Sequence, residues 1–473
     1  MNKLGRFIKT VLVYFIGNVL SKLVSFFLLP LYTSYIPPEP YGTYDFIITF
    51  LNLFAPILFF QVWDGMFRRS FDFENTSDKY KIINNAFSVC MLGGALYFIL
   101  FSATQLFFSI DGFIYVLIYG FFFSIHYFYN FACRVFLSNK LLVNSGFINT
   151  VITAVVNIVL IVCFGWGIES LYLAPSIGTL VQIVIIEFRL KIIVNFKFKD
   201  ISRAEIKKMV LFSLPLCVTG VCNWLFGGFT RVIITTTLST YDNGLYAVAN
   251  KFATMITLLV TVFQYAWNEL AYLMANDKNR IESYNICIDI LLKFIILGGA
   301  ALFIFFKIIF PYFIDAQYIG AMDILPATVI GVMFNAMAGF ISTFFMTENN
   351  TVVVMVSTLI AAAFNIALGF LLSHYFGLLG AIIALAVAYL ILLVIRLIQA
   401  RQKFKIGVSF LSVIILTVIL ALAVAEFYLS DKIIFDVLSV LFLCLTFILS
   451  MKKYIVKIKG ELKKGKQEKT DAQ

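Results

Sequence analysis

The residues best placed for chemistry are charged and polar side chains inside long apolar runs. Lys22 lies within the run that begins near Val11, roughly 17 Å along a helix rising about 1.5 Å per residue. Insertion of a charge at the bilayer centre costs about 2.5–3.5 kcal/mol, so such a residue needs a task or a partner. Tyr14, Asn18, Lys22 and Ser25 recur at helical spacing on one face, which should line a wet cavity. Further cations follow at other depths: Arg134 on a face with His126 and Asn130, Arg231 with Asn223 and Gly227, then Lys251 and Lys293. Asn250, Thr254, Thr257, Thr261, Gln264 and Asn268 add a polar stripe beside Lys251. A ladder of cations with neighbouring amides and hydroxyls suits an anionic ligand that also carries hydroxyl groups. Asp64 and Glu269 are candidates for pairing with these bases or for holding a coupling cation, and Asp289 stands one turn from Lys293 as an i,i+4 partner.

These residues sit in an extremely apolar chain. Of 473 residues 62% are hydrophobic and 13% charged, with a mean hydropathy of +0.97, where ordinary globular chains carry about 25% charged residues. The apolar residues come in blocks of about twenty, the length a helix needs to cross a hydrocarbon core. The spacing predicts fourteen spans, near 10–35, 44–66, 84–108, 112–136, 145–166, 170–190, 209–236, 244–266, 285–311, 324–346, 352–373, 377–399, 407–428 and 431–451. The basic start at Lys3, Arg6 and Lys9 runs into the first span without a small-residue cleavage site, as for an uncleaved span. Lys and Arg concentrate at the N-terminus, in alternate loops and in the tail after Met451, which places both termini in the cytoplasm. The formal charge of +11 is then a cytoplasmic surface facing anionic lipid headgroups rather than a nucleic-acid footprint. The seven cysteines lie in apolar runs and read as small buried hydrophobes. With two histidines and no HExxH or CxxC, neither a metal nor another cofactor is expected.

The organisation implied is an N-terminal six-helix half (1–190), a cytoplasmic interfacial linker (191–208), a second six-helix half (209–400), two peripheral helices (401–451) and a basic tail (452–473). In the linker, Ser202-Arg203-Ala204-Glu205 reads as a capping box opening a helix into span seven. The halves repeat. Tyr41-Gly42-Thr43-Tyr44 opens span two and Asn243-Gly244-Leu245-Tyr246 opens span eight. Asn157 before Phe164-Gly165-Trp166-Gly167 parallels Asn365 before Tyr375-Phe376-Gly377. Parallel repeats of this kind are a transporter plan with substrate bound between the repeats.

Several stretches carry a family resemblance: Gly17-Asn18 through Leu29-Pro30-Leu31 with Tyr41-Gly42-Thr43-Tyr44, Phe212-Ser213-Leu214-Pro215, Gly244 through Lys251, and Phe263-Gln264-Tyr265-Ala266-Trp267. In their order and spacing the chain resembles the polysaccharide-repeat (O-antigen, capsule or exopolysaccharide) flippases of the multidrug/oligosaccharidyl-lipid/polysaccharide exporter superfamily. The resemblance implies an all-α integral membrane protein, two pseudo-symmetric six-helix halves in a V-shaped bundle plus two C-terminal helices. It implies a bacterial cytoplasmic-membrane flippase moving undecaprenyl-pyrophosphate-linked oligosaccharide from the inner to the outer leaflet. Partners implied are membrane lipids and polysaccharide polymerase and chain-length machinery. The acid that the family carries before Arg231 is Thr230 here, so a role tied to that acid lacks its residue. Two other classes compete. A Na⁺- or H⁺-coupled multidrug exporter would need a cavity dominated by acids. A membrane polymerase or acyltransferase would need a catalytic base on a substantial outer loop, and no catalytic residue is assigned. A GxxxxGK[ST] nucleotide loop is absent.

Overall fold

The computed structural model describes residues 22–107, 110–273, 280–347, 351–404, 407, 410–430 and 432–471. They are almost wholly helical, with no strand among them, as expected where every backbone polar group must be paired without water. Contacts divide the chain into two compact units, Met1–Ala247 and Val248–Gln473.

The first unit holds α1 (Leu29–Tyr35), α2 (Pro38–Leu58), α3 (Val62–Ser70), α4 (Thr76–Thr104), α5 (Phe113–Val135), α6 (Asn139–Ile158), α7 (Ile168–Leu190), α8 (Arg203–Thr237) and the start of α9 (Thr240–Leu273). α6 ends in a single π turn, Val159–Cys163. The second unit holds the rest of α9, then α10 (Arg280–Phe313), α11 (Leu325–Thr347), α12 (Thr351–Phe404), α13 (Phe410–Leu429) and α14 (Ile433–Asp471). Eleven described helices are long and apolar enough to cross a membrane. One of these, α12, is two arms joined at Gly377, whose φ of 58° a side chain would strain. This break falls where the sequence separates spans 352–373 and 377–399.

The second span departs from expectation. It is two helices, not one over 44–66. Pro56 removes a backbone donor, α2 ends at Leu58, and Phe60 and Gln61 both take positive φ before α3 begins. The break is held by packing: Phe59, Val62, Trp63 and Met66 are buried in a core shared with Ile83, Ala86, Phe128 and Met209.

The linker also differs. Ser202 makes no side-chain cap to α8. Its backbone N–H is taken by Asn85 Oδ1 at 2.6 Å, so Glu205 is released to pair with Arg69 of α3 at 2.7 Å and Lys208 at 2.8 Å. α4 grips the preceding loop: Asn84 donates to Asp200 at 3.0 Å, Asn85 to the Asp200 carbonyl at 2.9 Å, and Tyr80 to the Leu190 carbonyl at 2.7 Å. The capping box fails because two side chains distant in sequence outcompete the local bonds.

In the second unit, Arg396 belongs to the packed interior. It is 5% exposed and donates to the Ala338 carbonyl (2.9 Å), Thr358 (3.0 Å) and Ser357 (3.2 Å), tying α11 to both arms of α12. Lys307 of α10 pairs with Asp436 of α14 at 3.2 Å and donates to the Ser430 carbonyl at 2.6 Å.

The two repeated glycines meet. A Cβ on Gly42 would lie 1.9 Å from the Thr240 carbonyl oxygen, and one on Gly244 would lie 1.9 Å from that of Pro38. Asn243 bridges the crossing by donating to the Gly42 carbonyl at 2.7 Å. Overpacking costs about 1–3 kcal/mol, so Gly42→Ala and Gly244→Ala should each lower the thermal midpoint in detergent by several degrees. Gly220→Ala, with open space around it, should leave the midpoint unchanged or raised; equal behaviour of all three would refute the close crossing.

Candidate functional site

By residue number, Lys22, Asn18, Arg134 and Arg231 fall in the first unit and Asn250, Lys251, Thr254, Gln264 and Lys293 in the second. Asn18 lies outside the described residues. Lys22 is helical and exposed, and forms no ion pair among the described residues. It precedes Ile36 at the end of α1 by fourteen residues, roughly 21 Å of helix, within the span expected over 10–35.

Arg231 has a different environment. Its guanidinium pairs with Asp45 of α2, donates Nη1 to the Gly227 carbonyl at 2.8 Å, and lies over the Tyr246 ring at 5.1 Å. The two charged side chains are 12% and 17% exposed. Asp45 was not singled out in the sequence, where it reads as one acid at the start of a span. Arg231 joins α8 to α2, and the carboxylate facing it comes from α2 rather than from position 230. Thr230 is buried and turns its hydroxyl to the Phe226 carbonyl at 3.0 Å.

Lys293 pairs with Asp289 at 2.6 Å within α10, the i,i+4 arrangement expected from spacing. Arg134 sits over the Phe131 ring at 4.6 Å and within electrostatic reach of Asp64. Asp64 occupies the first turn of α3 and accepts from Gln61 at 2.8 Å, so the break in span two aims this acid. On α9, Asn250 and Lys251 are half-buried, the Thr254 hydroxyl donates to the Lys251 carbonyl at 2.8 Å, and Gln264 reaches Thr343 of α11 at 3.0 Å. The Glu269 side chain lies outside the described residues.

A polar chain also crosses the first unit. Thr153 donates to Asn149 (3.1 Å), Asn149 to Gln182 (2.8 Å) and Gln182 to Asn130 (3.0 Å), and Asn130 meets His126 Nε2 at 2.7 Å. Each amide is used at both ends, which binds α6, α7 and α5 together. The i,i+4 spacing of Asn149 with Thr153, and of His126 with Asn130, was the available signal; Gln182 gave none.

Chemically, the described acids at depth are matched by bases or amides, while Lys22 has no ion-pair partner among the described residues. The arrangement favours an anion.

Comparison with known proteins agrees with this membrane architecture. The polysaccharide biosynthesis protein family model matches residues 7–267. No curated protein matches the chain. The lipid II flippase MurJ in an inward closed conformation superposes with a TM-score of 0.67 at 17% identity, covering 95% of this chain and 100% of MurJ. A multidrug resistance MATE family transporter of the MOP superfamily, inward-facing, gives 0.65 at 12% identity over 81% of this chain and 94% of its own. An outward-facing form gives 0.60 at 13%, over 84% and 95%. The chain belongs to the polysaccharide biosynthesis protein family and shares the fold of these multi-pass membrane transporters.

Removing one partner of a buried ion pair costs about 3–5 kcal/mol because the other charge is stranded. Asp45→Ala and Arg231→Ala should each destabilise the protein strongly in thermal unfolding, and the double variant by much less than their sum; additive losses would show that the pair is not coupled.

Proposed function

We propose that this chain is a flippase that carries undecaprenyl-pyrophosphate-linked oligosaccharide from the inner to the outer leaflet of the bacterial cytoplasmic membrane. The observation that carries the reading is Lys22, an exposed lysine within the span expected over 10–35 with no ion-pair partner among the described residues. A pyrophosphate is the anion such a cation would hold while the polyprenyl tail stays in hydrocarbon. Family membership supports a polysaccharide precursor as cargo, and the fold shared with a lipid II flippase supports lipid-linked transport. A carrier of cationic drugs would be served by free acids at depth, whereas Asp45 and Asp289 are already paired. Lys22, with Asn18 beside it in sequence, is assigned to the anion, and the half-buried Lys251 stripe with Asn250, Thr254 and Gln264 to hydroxyl groups. Arg134, Arg231 and Lys293 shape the surrounding field. Transport proceeds by alternating access, and both termini are cytoplasmic. Polymerase and chain-length machinery take the product.

In cells lacking the protein, lipid-linked repeats should accumulate on the cytoplasmic leaflet. Wild type should relieve this and Lys22→Ala should not, at equal membrane abundance, while Lys22→Arg should retain part of the activity. Normal transport by Lys22→Ala would remove Lys22 from the mechanism, and repeats reaching the outer leaflet without the protein would remove the flippase reading. Alkaline phosphatase fused after residue 452 should be inactive; an active fusion would reverse the orientation.

A further inference from the structure

Aromatic rings form an unbroken chain of contacts through the first unit. Tyr32 of α1 meets Tyr41 of α2 with centroids 6.5 Å apart, and Tyr41 meets Tyr44 at 6.0 Å. Tyr44 touches Tyr172 of α7 at 5.2 Å, and Tyr172 touches Tyr119 of α5 at 6.0 Å. The chain then follows α5 through Phe123 (5.8 Å) to Tyr127 (5.5 Å). It ends on Trp63 of α3, stacked on Tyr127 at 5.2 Å and 18°. Tyr44 and Trp63 are nineteen residues apart, on α2 and α3 either side of the break at Phe60 and Gln61.

Two properties separate this track from ordinary core packing. Most of its rings are tyrosines, and their hydroxyls are largely unused. The Tyr172 hydroxyl is fully buried without a partner, as is the Asn157 side-chain oxygen, whose amide nitrogen donates to Tyr32 at 2.9 Å. Tyr44, Tyr119 and Tyr127 make no hydrogen bond among the described residues. A buried phenol ordinarily finds a partner, so these groups are built for one that comes and goes. Second, Tyr32, Tyr44, Tyr119, Phe123 and Tyr127 each retain accessible surface, while Tyr41, Tyr172 and Trp63 are buried behind them.

We infer that this track is a carbohydrate-binding surface for the neutral rings of the transported oligosaccharide. A pyranose offers an apolar C–H face to stack on an aromatic ring and a rim of hydroxyls to bond phenols and the Asn157 amide. It needs no charge, so the track divides the work with Lys22. The sugars lie on the tyrosines and the pyrophosphate on the cation. This inference rests on the flippase reading and names the part of the cargo that the cations do not address.

The test compares two probes in nanodiscs: lipid-linked oligosaccharide extracted from cells lacking the protein, and bare undecaprenyl pyrophosphate. Wild type should bind the sugar-bearing lipid more tightly. Tyr44→Leu/Tyr119→Leu should weaken it by about tenfold while changing affinity for the bare lipid by less than about twofold. Tyr44→Phe/Tyr119→Phe, which keeps the rings and the packing, should show an intermediate loss confined to the sugar-bearing probe. Equal losses for both probes, or no loss in either variant, would overturn the track and leave the flippase reading standing. Equal wild-type affinity for the two probes would do the same. Binding of neither probe by wild type would refute the flippase reading itself, and the track with it.

Discussion

A charge taken out of water must meet either an opposite charge or a full set of hydrogen-bonding partners within the protein. That constraint shapes several of the long-range polar contacts in this chain. Arg231 meets Asp45 across α8 and α2. Lys293 meets Asp289 on one helix. Lys307 meets Asp436 and thereby seats α14 on α10. Arg396 takes the second solution: a backbone carbonyl and two hydroxyls surround its guanidinium without a carboxylate among them. Against this pattern Lys22 stands apart, and its functional assignment follows from that contrast more than from its depth alone.

The same requirement for satisfied polar groups governs the backbone. Where α2 gives way to α3, two consecutive residues adopt left-handed geometry, each costing of order 1–3 kcal/mol. The buried cluster around Phe59 and Trp63 over-determines the break. Its consequence is chemical: a helix start in place of a continuous helix brings Asp64 to Gln61 and into the field of Arg134. At the glycine crossing no side chain intervenes, so the first turns of α2 and α9 approach backbone to backbone.

The chain belongs to the polysaccharide biosynthesis protein family and has a multi-pass membrane fold shared with transporters. Bases at depth that pair internally, such as Arg231 and Lys307, hold helices together, and Lys22 is proposed to remain for an anionic cargo. The tyrosine track supplies what a sugar needs and a cation cannot give, namely flat apolar faces edged with hydroxyls.

The sequence by itself determined the solvent. Apolar runs of membrane length dictate spanning helices whatever their packing, because an unpaired backbone in hydrocarbon has no alternative. It also determined Gly42 and Gly244 as matching positions of a repeat, the Asp289–Lys293 pair, whose partners lie one turn apart, and the resemblance that named the family. What only the tertiary structure decided were the bonds between residues distant in the chain. Asp45 looked like a single acid until α2 met α8. Ser202 and Glu205 fit a capping box until Asn85 and Arg69 offered competing partners. Arg396 stood in the apolar span 377–399 with no partner legible until α11 and α12 enclosed it. Gln182 and Tyr172 carried no local signal at all. Periodicity and composition report on a residue's own helix, whereas a hydrogen bond or ion pair depends on which other helix packs against it, and that is settled only when the bundle closes.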